Sequence, residues 1–530
     1  MQVKSSALLA AALLAGGTPA SAQTASFHTL TDTQREFTNL NVETTRGFVW
    51  SAVDYWIYGL NTNASQIVLH SDYDGKVDER WQTIANPVSI AEWRNDTLLV
   101  VGAGTHALAF HDRNSGQIYA LVPLRSEPAD IVVDPDLDLA YVSCQGVNEV
   151  LVVDLNGAKV IETISVPAER PRFLYFDAGA PGSQDNRVYV APFASGNNSL
   201  TAAPAAGRRP DHGFGQEIVR VIDLDGTGYA LPDHDLFEID STSGASTIQP
   251  VLRRAGTLLT AHGRHPSGSY WMLNVESHNK DATRITEPSI NGIFASNRVS
   301  IGAPAASNPL PQPAAIDIDD TTPGGPTRTY SASTSLAFPW SVAFHGSGIA
   351  LVSASMSDRI GVFDALGARL TPFDIQLPAG SIPRHLQFDP ILGSHVIVHC
   401  WGTSELRIYP PLSQTPFAVL SLGEDPAPAP IRAGREIWYD ADRSLHGRTS
   451  CNTCHPAGKT DFLSWSLSNA PHDHKDAMVT QSLLSIEDTF PYHWRGENDL
   501  LAFNDAFTNL LGGAQKLTTG PNSEFDSFQA

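Results

Sequence analysis

Apolar and polar residues alternate along most of the chain up to about residue 425, in short segments that end at Gly, Asn, Asp or Pro. This alternation is typical of half-buried antiparallel strands joined by tight turns. A unit that begins at Leu139, LAYVSCQGVNEVLVVDLNGAKVIETISVPAERPRFLYFD, returns from Gly348 as GIALVSASMSDRIGVFDALGARLTPFDIQLPAGSIPRHLQFD. Each copy contains three apolar segments and then a proline that begins the next unit. A repeat of about 40 residues predicts the blades of a β-propeller.

The number of blades follows from the residues that close an apolar segment in each repeat. They are Asp72, Asp112, Asp154, Asp223, Asn274, Asp364 and Pro410. These positions predict an all-β, seven-bladed propeller over residues 41–423, and the spacing also fits six or eight blades. Residues 195–215 and 303–331 lack a strand pattern and are expected to form loops over one face. We expect strands within 49–58 and 416–422 to pair and close the ring, because an unpaired edge invites association.

The first 22 residues have a different pattern. Lys4 precedes an apolar run over 7–15, and Ala20-Ser21-Ala22 is a small-residue cleavage pattern. The run is too short to span a bilayer, so residues 1–22 are predicted to be a secretory signal peptide, with a retained membrane anchor as the alternative. No later segment offers about 18 unbroken apolar residues, and we therefore expect no membrane span in the mature chain.

The composition adds a strong negative charge. The chain has 34 basic and 56 acidic residues, a formal net charge of -22. Because phosphate binding depends on clustered Lys and Arg, this balance argues against nucleic acid as a partner. The acidic residues are spread along the chain, which favours a well-solvated surface; steering of a basic redox partner is the alternative.

The strand pattern ends at a Pro-Ala run. Residues 424–430 (EDPAPAP) are predicted to form an extended linker, because alternating prolines keep a chain extended. Beyond it, apolar residues recur at helical spacing near Ile437 and again from Leu500 to Leu511. We expect residues 431–530 to form a small all-α domain.

The chemistry of that domain centres on Cys451-Asn452-Thr453-Cys454-His455. Two thiols three positions apart, followed at once by an imidazole, match the attachment motif of c-type haem. One helical turn would direct both sulfurs to the porphyrin edge, with Cys451 and Cys454 forming thioethers and His455 ligating iron. A zinc site and a redox-active Cys-x-x-Cys pair are the alternatives. The first would need further thiol or histidine ligands nearby, and the second a βαβ context.

Longer motifs around this pentapeptide carry a family resemblance. GREIWYDADRSLHGRTSCNTCH, then MVTQSL and FPYHWRGE, resemble the N-terminal haem domain of the di-haem cytochrome c peroxidase family, which includes the MauG-type enzymes. The preceding repeats resemble the YVTN-type propellers of exported proteins. The resemblance implies a cytochrome c fold for 431–530, one covalent haem c, and a role for Trp494 on the route between two haems. That family carries a second CxxCH in a further domain. Here the sequence ends at LTTGPNSEFDSFQA, where the family continues, which favours a fragment.

The sixth iron ligand stays open among several candidates. Met478 is our first choice, because it is the only methionine of this domain and opens the MVTQSL segment. His472 and His474 are the rivals, and an open or water-ligated iron is the remaining alternative.

These observations predict a function in electron transfer. We expect an exported, periplasmic c-type haem protein, with the propeller as a docking platform for a redox partner protein. The alternative is a di-haem cytochrome c peroxidase-like oxidoreductase whose second haem domain is missing from this sequence.

Overall fold

The computed structural model describes most of the chain beyond residue 41. The described residues are 42–71, 73–179, 186–196, 199–202, 220–224, 233–240, 245–280, 292–319, 330–465, 467–470, 473–474, 477–484, 486–494, 496 and 498–529. The predicted signal peptide, Asp72 and His472 lie outside them.

Antiparallel units of four strands follow one another along most of the described chain, and we call them blades 1 to 7. Blades 4 and 5 are joined into one eight-stranded sheet through the pair Ala194–Leu258. Blade 1 contains β1 (Phe48–Trp50), β2 (Ile57–Asn61), β3 (Gln66–His70) and β4 (Glu79–Gln82). Blade 2 contains β5 (Pro87–Trp93), β6 (Thr97–Gly102), β7 (Ala107–Asp112) and β8 (Ile118–Pro123). Blade 3 contains β9 (Pro128–Asp134), β10 (Leu139–Cys144), β11 (Glu149–Asp154) and β12 (Lys159–Ser165).

The remaining blades have the same order of strands, apart from one insertion in blade 4. Blade 4 contains β13 (Glu169–Asp177), β14 (Arg187–Ala194), β17 (His234–Asp240) and β18 (Thr247–Arg253), with the inserted hairpin β15 (Ser199–Ala202) and β16 (Arg220–Asp223). Blade 5 contains β19 (Leu258–Arg264), β20 (Tyr270–Ser277), β21 (Ala295–Gly302) and β22 (Ala314–Asp317). Blade 6 contains β23 (Pro339–Phe344), β24 (Ala350–Ala354), β25 (Arg359–Phe363) and β26 (Ile375–Gln376). Blade 7 contains β27 (Pro383–Phe388), β28 (Val396–Cys400), β29 (Glu405–Tyr409) and β30 (Ala418–Ser421).

Successive blades pack face to face through buried apolar clusters, because neither face of a single blade can bury its apolar side chains alone. Blade 7 packs in the same way on blade 1, where Ile397 and Leu406 share a cluster with Phe48 and Ile57. The sheets therefore form a closed ring, the arrangement of a β-propeller.

The ring does not close by the strand pairing that we expected. Val49 pairs with Tyr58 inside blade 1, and Ala418 pairs with Ile408 inside blade 7. Closure depends on the apolar cluster between these two blades. Packing of this kind covers the blade faces without a shared strand, so a hydrogen-bonded seam is not required.

Blades 4 and 5 depart from the predicted repeat. Asp223 lies in the inserted hairpin, and the third strand of blade 4 is β17. Asn274 lies in β20, the second strand of blade 5. The predicted loop over 303–331 contains β22, the outermost strand of that blade. Insertions lengthen these two repeats, so a fixed period placed their strands wrongly.

Residues 42–46, here called the axial segment, run along the ring axis. The Thr45 hydroxyl donates to the Ala129 carbonyl oxygen (2.5 Å), and the Thr45 N–H donates to the Val88 carbonyl oxygen (2.9 Å). Arg46 forms an ion pair with Asp130 at 2.9 Å. The first strands of neighbouring blades contact one another around this axis, so the axial segment occupies the place where the blades converge.

The C-terminal segment, residues 429–529, is not all-α. It contains α1 (Ala429–Tyr439), α2 (Cys451–Cys454), α3 (Ala506–Asn509) and α4 (Glu524–Gln529), together with short 3-10 helices and two-stranded pairs. The pairs join β31 (Ser464–Trp465) to β34 (Met478–Val479) and β32 (Ser468–Ala470) to β33 (Asp473–His474). The predicted closing helix is a 3-10 helix, Leu500–Asp505, followed by the single turn α3. Helices this short depend on tertiary packing, which the ring supplies.

The predicted linker is part of this packing. Pro430 lies in the first turn of α1, where its missing N–H costs no hydrogen bond. Asp425 is buried in an ion pair with Arg435 at 2.5 Å and also accepts from Asn63 at 2.7 Å. Residues 424–430 therefore do not behave as the free, extended spacer that their prolines suggested.

One apolar cluster joins the ring to the C-terminal segment. It contains Phe173, Phe193, Phe338, Trp340, Met356 and Trp401 of the ring and Ile437, Trp438, Leu463, Trp465, Phe507 and Phe525 of the segment. The ring and the segment thus share one core, on the face where the first strands of the blades begin.

None of the helices among the described residues is both long and apolar enough to cross a lipid bilayer.

Candidate functional site

Cys451–Cys454 form one helical turn, α2, and two reciprocal hydrogen bonds cap its N-terminal end. The Ser450 hydroxyl accepts from the Asn452 N–H at 3.2 Å, and the Ser450 N–H donates to the Thr453 hydroxyl at 3.1 Å. This reciprocal capping satisfies donors that would otherwise lack partners at a helix start. Residues three apart lie on one side of a helix, so Cys451 and Cys454 share a side of the turn.

Buried polar contacts fix the turn against its surroundings. The Asn452 side-chain oxygen accepts from the Trp438 indole N–H at 3.3 Å and from the Ala457 N–H at 3.0 Å. The Ser450 hydroxyl contacts the Met356 sulfur, on the ring, at 3.0 Å. The position of both thiols is therefore set by α1 and by blade 6 together.

His455 follows the turn and is held through one ring nitrogen. Its Nδ1 lies 2.8 Å from the Gln481 carbonyl oxygen. A carbonyl oxygen only accepts, so Nδ1 carries the proton and, in the neutral ring, Nε2 is the nitrogen with a free lone pair. Burial lowers the pKa of His455, against the opposing effect of the Gln481 and Lys459 backbone. The structure thus favours a neutral imidazole, the form that ligates metals.

The two thiols are protonated at neutral pH. Burial raises the pKa of Cys451 to about 12. Burial, with Asp461 and Cys451 nearby, raises the pKa of Cys454 well above its ordinary value. Redox-active Cys-x-x-Cys pairs have lowered thiol pKa values, so the electrostatics do not resemble a thioredoxin-type site.

Apolar side chains surround the turn. The Trp438 ring lies 6.3 Å from the His455 ring and stacks on Phe528. Both cysteines are half-buried and pack against the core that joins ring and segment, as do Leu467, Leu483, Leu500, Leu510 and Phe528. A large planar apolar group attached to the thiols would find matching contacts here.

Met478, the predicted sixth ligand, lies on β34 and pairs with Trp465. It is half-buried, and the same stretch of chain continues to Gln481, which holds His455. His472 and the side chain of His474, the rival ligands, lie outside the described residues.

Trp494 lies at the edge of this region. Its side chain is 55% exposed, and its indole N–H donates to the Val479 carbonyl oxygen at 2.6 Å. The structure therefore brings Trp494 next to the strand that carries Met478.

Asp461 is a site residue that the sequence reasoning missed. It is buried, with Trp465 Nε1 donating to its carboxylate at 2.9 Å and the Leu463 N–H at 3.0 Å. Burial raises the pKa of Asp461 to about 6, although these donors act in the opposite direction. The position of Asp461 within the largely apolar stretch TDFLSW is the sequence feature that could have indicated a buried acid.

The donor set fits a c-type haem: two thiols on one side of a helical turn, a neutral imidazole next to them, and apolar surroundings. Among the described residues, no three His, Cys, Asp or Glu side chains form a group that could hold a metal ion. Fold and site together define a β-propeller protein with a Cys-x-x-Cys-His turn packed on its ring.

No model of a known protein family matches the chain, and no curated protein matches it. Among solved structures, it is similar to Kuenenia stuttgartiensis hydrazine synthase, with 13% identity, 73% of this chain and 99% of that chain covered, and a TM-score of 0.48. It is also similar to virginiamycin B lyase from Staphylococcus aureus, with 11% identity, 69% and 94% covered, and a TM-score of 0.41. A functionally unknown protein from Desulfotomaculum acetoxidans shows 12% identity, 69% and 94% covered, and a TM-score of 0.41.

Proposed function

We propose that the protein is an exported c-type haem protein that transfers electrons, with the propeller as a docking platform for a redox partner protein. The observation that carries the proposal is the capped turn α2, which presents Cys451 and Cys454 beside an imidazole fixed by Gln481. A haem attached there would supply one-electron chemistry.

Each residue of the site has a distinct role in this proposal. Cys451 and Cys454 would form the thioethers to a haem, and His455 would supply Nε2 as an iron ligand. The Gln481 carbonyl orients the imidazole and increases its basicity, as partners of ligating histidines do. Met478 is the proposed sixth ligand, whose thioether would favour electron transfer over binding of a substrate.

A peroxidase-like oxidoreductase of the di-haem type is the second candidate. Trp494 is 55% exposed beside the Met478 strand, and Phe490, earlier in the same stretch, is 67% exposed. Exposed aromatic side chains at this place suit contact with a second electron-transfer domain. The periplasm is the proposed location in both cases, since c-type haem is attached outside the bacterial cytoplasm.

Attachment is tested by producing the protein in a host with a haem-attachment system. We expect intact-protein mass spectrometry to show one covalent haem, and Cys454→Ala to lose two-point attachment. Cys144→Ala is the matched control, because Cys144 is a buried thiol of blade 3 outside the motif. A protein that carries zinc and no haem under these conditions contradicts the proposal.

The sixth ligand separates the two candidates. If Met478 ligates oxidised iron, the weak far-red absorption band of His/Met haem should be present and should vanish in Met478→Ala. Met272→Ala is the control, because Met272 is a buried methionine of blade 5 outside the site. Peroxide turnover by the wild-type protein would instead favour the oxidoreductase.

A further inference from the structure

Three arginines gather near the ring axis, on the side that faces the C-terminal segment. Arg170 and Arg172 belong to β13, and Arg384 belongs to β27; all three are buried. The Phe193 ring lies 5.4 Å from the Arg170 guanidinium and 5.1 Å from that of Arg172. The Trp340 ring lies 4.9 Å from Arg172 and 4.0 Å from Arg384. We call these three residues the axial arginines.

Among the described residues, Glu43 is the one carboxylate that forms ion pairs with axial arginines. Glu43 pairs with Arg172 and with Arg384, each at 2.9 Å. Among the described residues, no carboxylate lies within ion-pair distance of Arg170, whose contact with the Gln145 side chain is long, at 3.4 Å. Glu127, whose charge also acts on Arg170, pairs with Lys459 at 2.6 Å. The cluster thus carries more positive than negative charge inside a strongly acidic protein.

Several buried donors of the axial arginines, and the indole N–H of Trp401, whose ring lies 5.4 Å from the Arg384 guanidinium, contact no acceptor among the described residues. They are Nη1 of Arg170, Nε of Arg172, Nε and Nη1 of Arg384, and Nε1 of Trp401. A buried donor without an acceptor costs about 1–3 kcal/mol, and more for a charged group. Aromatic contacts cover the guanidinium faces and leave these edge atoms unsatisfied. Such a set of donors is suited to an anion with several oxygen atoms.

The cluster lies close to the proposed haem site. Lys459 follows His455 closely in the sequence. Burial lowers the pKa of Lys459 most, and the charges of the nearby Arg170 and Arg172 lower it further. Tyr439, next to Trp438, lies 5.0 Å from the Arg384 guanidinium. The Trp438 ring is 6.3 Å from the His455 ring.

We propose that the axial arginines form a carboxylate-binding site, and that its ligand is the pair of propionate groups of the haem attached at Cys451 and Cys454. This inference rests on the proposed function. A free small anion has the same chemistry, and the experiment separates the two sources.

The test compares Arg170→Gln with Arg113→Gln in the haem-loaded protein. Arg113 is equally buried but fully bonded, to Tyr58, Ser51, Asp54 and Glu92. We expect Arg170→Gln to lower the haem reduction potential, because a lost positive charge favours the ferric state. It should also move the pH-dependent step of the potential, caused by propionate protonation, to higher pH. Arg113→Gln and Arg170→Lys should leave both readouts close to wild type.

A second measurement tests a free anion. Inorganic phosphate is compared with chloride at equal ionic strength in thermal unfolding of the Cys451→Ala/Cys454→Ala protein, with and without Arg170→Gln. If propionates fill the site, phosphate should stabilise this haem-free form through Arg170 and leave the haem-loaded form unchanged.

The outcomes are distinct. If the haem-loaded Arg170→Gln protein keeps the wild-type potential and pH profile, the propionate assignment is overturned. If phosphate stabilises neither the haem-free nor the haem-loaded form, the carboxylate site is overturned. A protein that attaches no haem but gains stability from phosphate through Arg170 refutes the proposed function and keeps a free-anion site. If Arg170→Gln fails to fold, Trp401→Phe, which removes one unpaired donor, should shift the potential in the same direction.

Discussion

Glu43 is a buried residue whose replacement should strongly disturb the structure. Its carboxylate is fully buried and accepts from Arg172, Arg384 and the Tyr439 hydroxyl, the last at 2.8 Å. Burial alone would raise the pKa of Glu43, but these partners hold the pKa below its ordinary value. Glu43 is therefore ionised at neutral pH.

Glu43→Gln keeps the size of the side chain and removes its charge. Breaking a buried ion pair from one side costs about 3–5 kcal/mol, because the partner charge stays buried without compensation. Two guanidinium groups lose their counter-charge here, so we expect a loss of unfolding free energy at the upper end of that range. The contribution of Glu43 should be complete at pH 7 and decrease as pH falls below about 4, through its lowered pKa.

Urea unfolding followed by far-UV circular dichroism measures the effect. Glu405→Gln is the control, because Glu405 forms a partly exposed pair with Arg407 and should cost about 1 kcal/mol or less. The triple change Glu43→Leu, Arg172→Met and Arg384→Met should recover most of the stability, since all three charges of the Glu43 ion pairs are then removed together. A Glu43→Gln protein as stable as Glu405→Gln would refute the reasoning.

Three further predictions concern the C-terminal segment. Gly434→Ala should destabilise the protein by about 1–3 kcal/mol in thermal unfolding, because the added Cβ atom would collide with the Ser527 carbonyl of α4. Gly346→Ala is the control: its Cβ atom would meet no atom within 4 Å, so this change should be nearly neutral. In the haem-free protein, the raised pKa of Asp461 should make stability decrease by about 3 kcal/mol as pH rises from about 4 to 6, and Asp461→Asn should remove this dependence in urea unfolding at several pH values. Limited proteolysis, followed on gels, should not release the segment by cutting within 424–430, because Asp425 and Ala427 are enclosed.

The repeat pattern predicted the regular blades well. Asp154 ends β11 and Asp364 follows β25 directly, as the alternation indicated. The pattern failed where insertions lengthen a repeat, as at Asp223, because periodicity carries no information about where an inserted hairpin begins. Short helices were also predicted too long, since their extent depends on packing against the ring.

The site was only partly predictable for a related reason. The five residues from Cys451 to His455 are adjacent in sequence, so their spacing alone predicts the turn. The acceptor for His455 is a backbone carbonyl, which has no sequence signature. The axial arginines come from blades 4 and 7, and only the closed ring brings them together.

The bond between Glu43 and Tyr439 also constrains the order of folding. These residues are 396 positions apart, and both lie against the ring axis. Contacts of such sequence separation require a large loop to close before they contribute stability, which slows folding. A chain made from its N-terminus must therefore wait for residue 439 before its axis is complete. Closure of the ring and docking of the C-terminal segment should belong to one late, cooperative step.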